Sequence, residues 1–225
     1  LKVCGMKFTE NIEQVSGLYP DYMGFIFYEK SKRNFEGVIP KLPKSIKKTG
    51  VFVNEYPEIV ISLVEEYQLE AIQLHGDETV TYIKQLKTHL PSIEIIKVFG
   101  IKDEFNFDVL TPFLPLVDYF LFDTKGKERG GNGVQFDWSV LEAYPYEKPF
   151  FLSGGIGLKD VLAIQKIIDS NVPIYALDIN SKFEIEPGLK NINEVFHIIK
   201  ICIDKNEVSQ HLKGPVAHSG FQRLT

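Results

Sequence analysis

The chain has 225 residues, 44% hydrophobic and 24% charged, with a formal net charge of −5 at neutral pH. That length allows one large domain or two small ones and buries a core without disulfides or a structural metal, and the acidic balance offers no broad basic surface for nucleic acid. Two cysteines, Cys4 and Cys202, with no CxxC spacing argue against a disulfide framework or a zinc site, and no apolar run approaches the roughly 20 residues of a membrane span.

Eight short apolar runs follow one another, at 1–6, 22–28, 49–54, 71–76, 94–101, 119–124, 150–156 and 175–180. Several, such as "GFIFY" and "YFLFD", lack alternation, as strands buried on both faces of a parallel sheet do. Helical patterns lie between most of them. Pro57 suits a first helical turn, and Val60, Leu63, Val64 and Tyr67 then form an amphipathic stripe. Asp77 is the expected cap of the next helix, with Val80, Ile83 and Leu86 as its apolar face. Pro40 and Pro43 allow only a short or irregular helix around 38–47. Ile192, Val195, Phe196 and Ile199 repeat the helical stripe, and Asn191 with Glu194 resembles a capping box.

Eight strand–helix units predict an α/β fold, a single (β/α)8 TIM barrel over residues 1–205. The alternative, a doubly wound open sheet, is weakened by the absence of GxGxxG after the first strand. Residues 206–225 lose the periodicity and are expected to be a tail, with disorder or non-native origin as open alternatives. No signal-peptide pattern precedes the first strand, and a reducing cytoplasm is the expected location.

In such a barrel the active site lies at the C-terminal ends of the strands. Those positions hold Cys4, Arg33, Asn54, Gln73, His75, Gly100, Asp123, Gly154, Gly155, Ile156, Asp178, Asn180 and Ser181. "SGGI" after strand 7 and "DINS" after strand 8 form paired turns where barrels of this kind bind phosphate, and a helix starting near Leu158 or Lys159 would aim its positive end there. A tight glycine turn is the plainer alternative. Cys4 and Asp123, ending strands 1 and 6, would face one another across the mouth as a thiolate and a carboxylic acid. On the residues alone the alternatives stay open: a small buried hydrophobe at Cys4, a helix cap or a partner of Lys125 at Asp123, a solvated basic loop at Arg33. Cys202 reads as a packing residue. His75 has no companion with metal-ligand spacing, so no metal role is expected. The glycine-rich stretch 125–133 could serve as a lid that keeps water from Asp123, or be a surface loop.

Taken in order, "KVCGM", "GFIFYEKSKR", "GVFVN", "IQLHG", "IKVFGI", "FDT", "GGNGVQFDW", "LSGGI", "ALDINSKFE" and "PGLK" resemble the phosphoribosylanthranilate isomerase family of tryptophan biosynthesis, from Leu1 to about Ile203. The resemblance implies an Amadori rearrangement without cofactor or metal. It implies Asp123 as general acid and Cys4 as general base, with Arg33 meeting the anthranilate moiety and the turns after strands 7 and 8 binding phosphate. It also implies a small-molecule substrate, phosphoribosylanthranilate, as the partner, and it implies no obligate protein partner; no nucleic acid and no membrane are expected from the charge and the apolar pattern. Two positions depart from the family pattern: Lys182 replaces a glycine after the last strand, and Lys32 stands where proline is common.

The rival barrel enzymes fit less well. An indole-glycerol-phosphate synthase would want catalytic lysines at strand ends. A phosphoribosyl-formimino isomerase would want two opposed aspartates, and Cys4 replaces one. A ribulose-phosphate epimerase would want a metal-ligand set. A catalytically silent phosphate-metabolite binder would not need both Cys4 and Asp123.

Overall fold

Eight parallel strands close into a barrel in the computed structural model, which describes residues 1–102, 104–124, 136–170 and 172–212, with side chains to 202. The strands are β1 (Lys2–Val3), β2 (Tyr22–Phe27), β3 (Lys47–Phe52), β4 (Ala71–Leu74), β5 (Glu94–Ile101), β6 (Tyr119–Thr124), β7 (Phe150–Leu152) and β8 (Ile174–Ile179). Each pairs with its sequence neighbours, and β8 returns to β1 with Lys2 opposite Asp178 and Val3 opposite Ile179. Closure leaves the sheet no edge.

Side chains alternate across each strand, so the cylinder has two cores. Outward-facing Val3, Phe25, Phe52, Phe120 and Phe150 pack beneath the surrounding helices. Inward-facing Tyr22, Ala71, Ile96, Val98, Leu121 and Phe151 fill the N-terminal half of the cylinder. There the rings of Tyr22 and Phe151 meet edge-on at 5.3 Å. Above this plug the inward positions turn polar, with Lys2, Gln73 and Asp178 all buried.

The helices are α1 (Thr9–Ser16), α2 (Pro57–Tyr67), α3 (Val80–His89), α4 (Val161–Asp169) and α5 (Ile192–Leu212). Pro57 does start α2, and Val60 and Val64 are its buried residues. Three local expectations need correction. Thr79, not Asp77, caps α3: its hydroxyl accepts from Tyr82 N at 3.2 Å, while Asp77 N–H donates to Asn54 Oδ1. No helix forms over 38–47, because two prolines remove backbone donors and β3 already begins at Lys47. In α5 the buried stripe is Val195, Ile198 and Ile199, and Phe196 turns outward beneath Lys200, 45% exposed.

Cys202 is partly buried against the main core, as a packing residue would be. The α5 backbone continues to Leu212, so the helix runs past position 205. The stretch 125–133 and residues 213–225 lie outside the described residues.

Four short 3-10 segments occur among the described residues: Phe107–Phe113, which contains Pro112, Trp138–Ala143, Leu158–Asp160, which leads into α4, and Ser181–Phe183. After β8 the chain adds a small antiparallel hairpin, β9 (Glu184–Glu186) and β10 (Leu189–Lys190). No helix among the described residues is long and apolar enough to cross a membrane.

Candidate active site

A pocket opens at the C-terminal ends of the strands, where active sites of such barrels lie. Of the strand-end positions read from the sequence, Cys4, Arg33, Gln73, His75, Asp123, Gly154, Gly155, Ile156, Asp178, Asn180 and Ser181 line it, and Asn54 and Gly100 do not. Its walls divide into four chemical regions.

The first is built on the end of β1. Cys4 N–H bonds to Ile179 O at 2.9 Å, and the side chain is only 3% exposed. The turn that follows requires glycine: Gly5 has φ +73°, and a Cβ there would lie 2.7 Å from both Arg33 Cδ and Asn180 Oδ1. Gly24 on β2 leaves the thiol its space, since a Cβ at that position would lie 2.8 Å from Cys4 Sγ. Burial pushes the Cys4 thiol above its ordinary value; the nearby Lys2 and Lys190 ammoniums pull the other way, and Asp178 adds to the rise. Lys2 is fully buried. Burial would lower its value, but Asp178 and Cys4 outweigh this and hold it above that of a free lysine.

The second region belongs to β6 and β4. Asp123 Oδ1 accepts from Thr124 N at 2.8 Å, and Oδ2 lies 3.4 Å from His75 Nε2. His75 thus has a carboxylate neighbour that sequence spacing did not reveal, because the two come from β4 and β6, the strands on either side of β5. Among the described residues no cluster of three or more His, Cys, Asp or Glu side chains could hold a metal ion. Gln73 is buried and bridges inward, accepting from Lys2 Nζ at 2.7 Å and meeting His75 Nδ1 at 3.0 Å.

The third is a charged wall. Arg33 forks onto Glu184 rather than standing free, and Glu184 also accepts from Lys190 Nζ at 2.6 Å. Lys190 donates to Asn180 Oδ1 at 2.7 Å as well. Burial would raise the Glu184 carboxyl, but Arg33 and Lys190 together hold it below the usual range. Lys190 is pushed down to about 8 by burial, against the opposing pull of Glu184.

The fourth is the pair of turns after β7 and β8. Gly154 and Gly155 take φ +93° and +66°. A Cβ at Gly154 would collide with Thr124 Oγ1 and lie 2.9 Å from Thr124 N. Ile156 is buried, and Ser181 and Lys182 face the glycines from the β8 side. The expected helix dipole is replaced by a short 3-10 turn whose first N–H, from Gly157, is taken by Asp160 Oδ2 at 2.8 Å. The donors left in this region are loop N–H groups and the Ser181 and Lys182 side chains. Asp178, facing this region, is already engaged by Lys2 Nζ at 2.7 Å and Ser153 Oγ at 3.2 Å.

The sequence model of a family described as N-(5'-phosphoribosyl)anthranilate isomerase matches residues 1–201. The chain belongs to this family. A phosphoribosylanthranilate isomerase from Parabacteroides distasonis is 40% identical over 207 residues, covering 89% of this chain and 91% of that protein. The crystal structure of the isomerase from Thermotoga maritima superposes with a TM-score of 0.76 at 32% identity, over 90% of this chain and 98% of that one. A third isomerase structure, in complex with reduced 1-(o-carboxyphenylamino)-1-deoxyribulose 5-phosphate, gives a TM-score of 0.72 at 29% identity, over 90% and 97%.

Within this isomerase fold, sequence reasoning overlooked Lys2, Glu184 and Lys190, and considered His75 only as a metal ligand. Lys2 did carry a signal. It lies two residues before Cys4 on one strand, and the two-residue period puts both on the same face.

Proposed function

We propose that Cys4 and Asp123 perform the acid–base chemistry of this isomerase. The chain is a tryptophan-biosynthesis enzyme that converts N-(5-phosphoribosyl)anthranilate to 1-(2-carboxyphenylamino)-1-deoxyribulose 5-phosphate. The observation that carries the assignment of roles is the sharing of one pocket by a buried thiol, a buried carboxyl and two positive-φ glycines suited to a phosphate.

Asp123 protonates the furanose ring oxygen as its bond to C1 breaks, and the nitrogen lone pair forms the C1=N iminium. The Cys4 thiolate then takes the proton from C2. The C2–H electrons form C1=C2 and return the lone pair to nitrogen, giving an enolamine. Loss of the C2 hydroxyl proton and protonation at C1 give the ketone. The atoms of substrate and product are the same, so no redox partner enters. Each proton transfer by a positioned group is worth on the order of 10²–10⁴ in rate.

The charged wall around Arg33 faces the anthranilate carboxylate. Gly154, Gly155, Ile156, Asn180, Ser181 and Lys182 surround the phosphate, and Asp178 orients the Ser153 and Lys2 side chains beneath it. The deciding experiment is turnover of freshly generated phosphoribosylanthranilate, followed by loss of its anthranilate fluorescence. A chain that bound the substrate analogue without turnover would be a silent binder instead.

A further inference from the structure

Beneath the acid and the base lies a buried polar chain that neither role by itself requires. Lys2 is fully buried in the barrel interior, one layer below the pocket. Its Nζ donates to Asp178 Oδ1 and to Gln73 Oε1, each at 2.7 Å. An ammonium has three donors and no acceptor, and Cys4 follows two residues along on the same inward face, where its thiol feels the Lys2 charge.

We propose that Lys2 is a positioning residue for both proton transfers: its single buried ammonium orients the Cys4 thiol directly and, through Gln73 and His75, fixes the donor that faces Asp123. The proposal rests on the acid–base reading above.

The argument is one of donors and acceptors. Lys2 can only donate, so the Gln73 amide turns its oxygen toward it. The amide NH2 group is then left for His75 Nδ1, at 3.0 Å. Nδ1 must accept, so the neutral imidazole carries its proton on Nε2. That N–H faces Asp123 Oδ2 at 3.4 Å. A carboxylic acid at Asp123 cannot pass its proton to a nitrogen that already holds one. The outlet left to it is the pocket, where the substrate ring oxygen lies.

At the other end, an ammonium beside a thiol favours the thiolate. The charged groups facing Cys4 are Lys2 from β1, Asp178 from β8, Lys190 from β10 and Arg33 from the loop after β2, with His75 and Asp123 on the same pocket. Of these cations, Lys2 exerts the largest downward pull on the thiol. A purely structural ion pair would need only Lys2 and Asp178; it would be indifferent to the Gln73 amide and to the His75 tautomer.

The test uses the full chain with 15N-labelled histidine and long-range proton–nitrogen spectra, the His75 signals being those lost in His75→Gln. Wild type should show His75 protonated on Nε2. Two variants keep the test open to refutation if one folds poorly. Gln73→Leu leaves the buried ion pair intact, and Lys2→Met/Asp178→Asn removes both charges and so leaves no unpaired buried ion. In each, His75 should become a mixture of tautomers, and kcat should fall on the order of 100-fold. In a Cys202→Ser background, the pH midpoint for iodoacetamide alkylation of Cys4 should move to alkaline values in the doubly substituted chain and not in Gln73→Leu.

An unchanged His75 tautomer in Gln73→Leu, or a kcat within about threefold of wild type in the doubly substituted chain, overturns the proposal. If Cys4→Ala and Asp123→Asn lose turnover while the Lys2 variants keep it, only the role of Lys2 fails. If those two keep turnover, the acid–base reading itself fails.

Discussion

Arg33 and Glu184 form a fork in which Nε donates to both carboxylate oxygens, at 2.9 and 3.0 Å, and Nη2 to Oε2 at 2.6 Å. The fork fixes the guanidinium plane and leaves Nη1 outside it. With Lys190 on the same carboxylate, two cations surround one anion, and the wall keeps one net positive charge for a bound carboxylate. Arg33→Met should therefore raise KM about 10- to 100-fold with a smaller effect on kcat, the pattern of lost uniform binding. The check compares a product analogue with one lacking the ring carboxylate. Equal losses of affinity for both would sink the assignment.

Cys4 should govern the alkaline side of the activity. Its thiol sits above the ordinary range because it is buried, so at neutral pH the thiolate is the minor form. A base must be deprotonated to act, so kcat should rise with pH through and above neutrality, about tenfold per unit well below the thiol value. Cys4→Ala should lower kcat on the order of 10²–10⁴ with modest change in KM, and Cys4→Ser should also be poor. A flat pH profile with chemistry rate-limiting would exclude the thiol as base.

Asp123→Asn preserves shape and hydrogen bonding but holds no carboxylic proton. It should lose most of kcat, on the order of 10²–10⁴, while binding the product analogue nearly as well as wild type. Turnover and calorimetric affinity, measured on the same preparation, separate the outcomes. Lost affinity with kcat intact would make Asp123 a binding group.

Lys190 should make anion binding sensitive to mild alkali. Burial pushes it down to about 8. As pH rises through that value the wall loses a cation, and affinity for the phosphate- and carboxylate-bearing product analogue should fall. The stability effect has the opposite sign. Between about 8 and the ~10.4 of a free lysine the unfolded chain holds a proton that the folded chain has released, so the contribution of Lys190 improves with pH across that window. Lys190→Met should flatten the pH dependence of affinity between about pH 7 and about pH 9. A dependence that survives in Lys190→Met would assign it to another group.

Gly154→Ala should weaken phosphate binding and cost stability together. The positive φ already disfavours a side chain, and the new methyl would meet Thr124, next to Asp123. About 1–3 kcal/mol of destabilisation is expected from such backbone strain. Inorganic phosphate should inhibit wild type competitively and Gly154→Ala less well. Equal inhibition would move the phosphate elsewhere.

The eight strands were legible because burial on both faces leaves apolar runs without alternation, and α2 because Pro57 and the Val60/Val64 spacing agree. The 3-10 connections were not. Phe107–Phe113 has apolar residues enough for a helix, but Pro112 inside it removes a donor. The hairpin carrying Glu184 and Lys190 was invisible, since strands of three and two residues are too short to show a period. The strand-end rule pointed to eleven residues that line the pocket, His75 among them, and to Asn54 and Gly100, which do not; it could not say which of them face one another. Gln73 and Asp178 read as substrate ligands from position alone; both are largely engaged by Lys2, whose inward placement follows only from the alternation along a closed sheet. His75 and Asp123 are 48 positions apart in sequence, and they meet because β4 and β6 flank β5 on both sides in a curved sheet.

The hairpin of β9 and β10 stands outside the hydrogen-bonded cylinder. A two-stranded ribbon is marginal by itself in water; this one is tied down where Glu184 meets Arg33 and where Lys190 meets Asn180 and Asn11. The charges that prepare one wall of the pocket are therefore also the fastening of the segment that carries them. Loosening that fastening would let the ribbon open locally while the barrel stays closed, so loss of the charged wall would register as faster amide exchange over 184–190 well before any change in the melting of the whole chain.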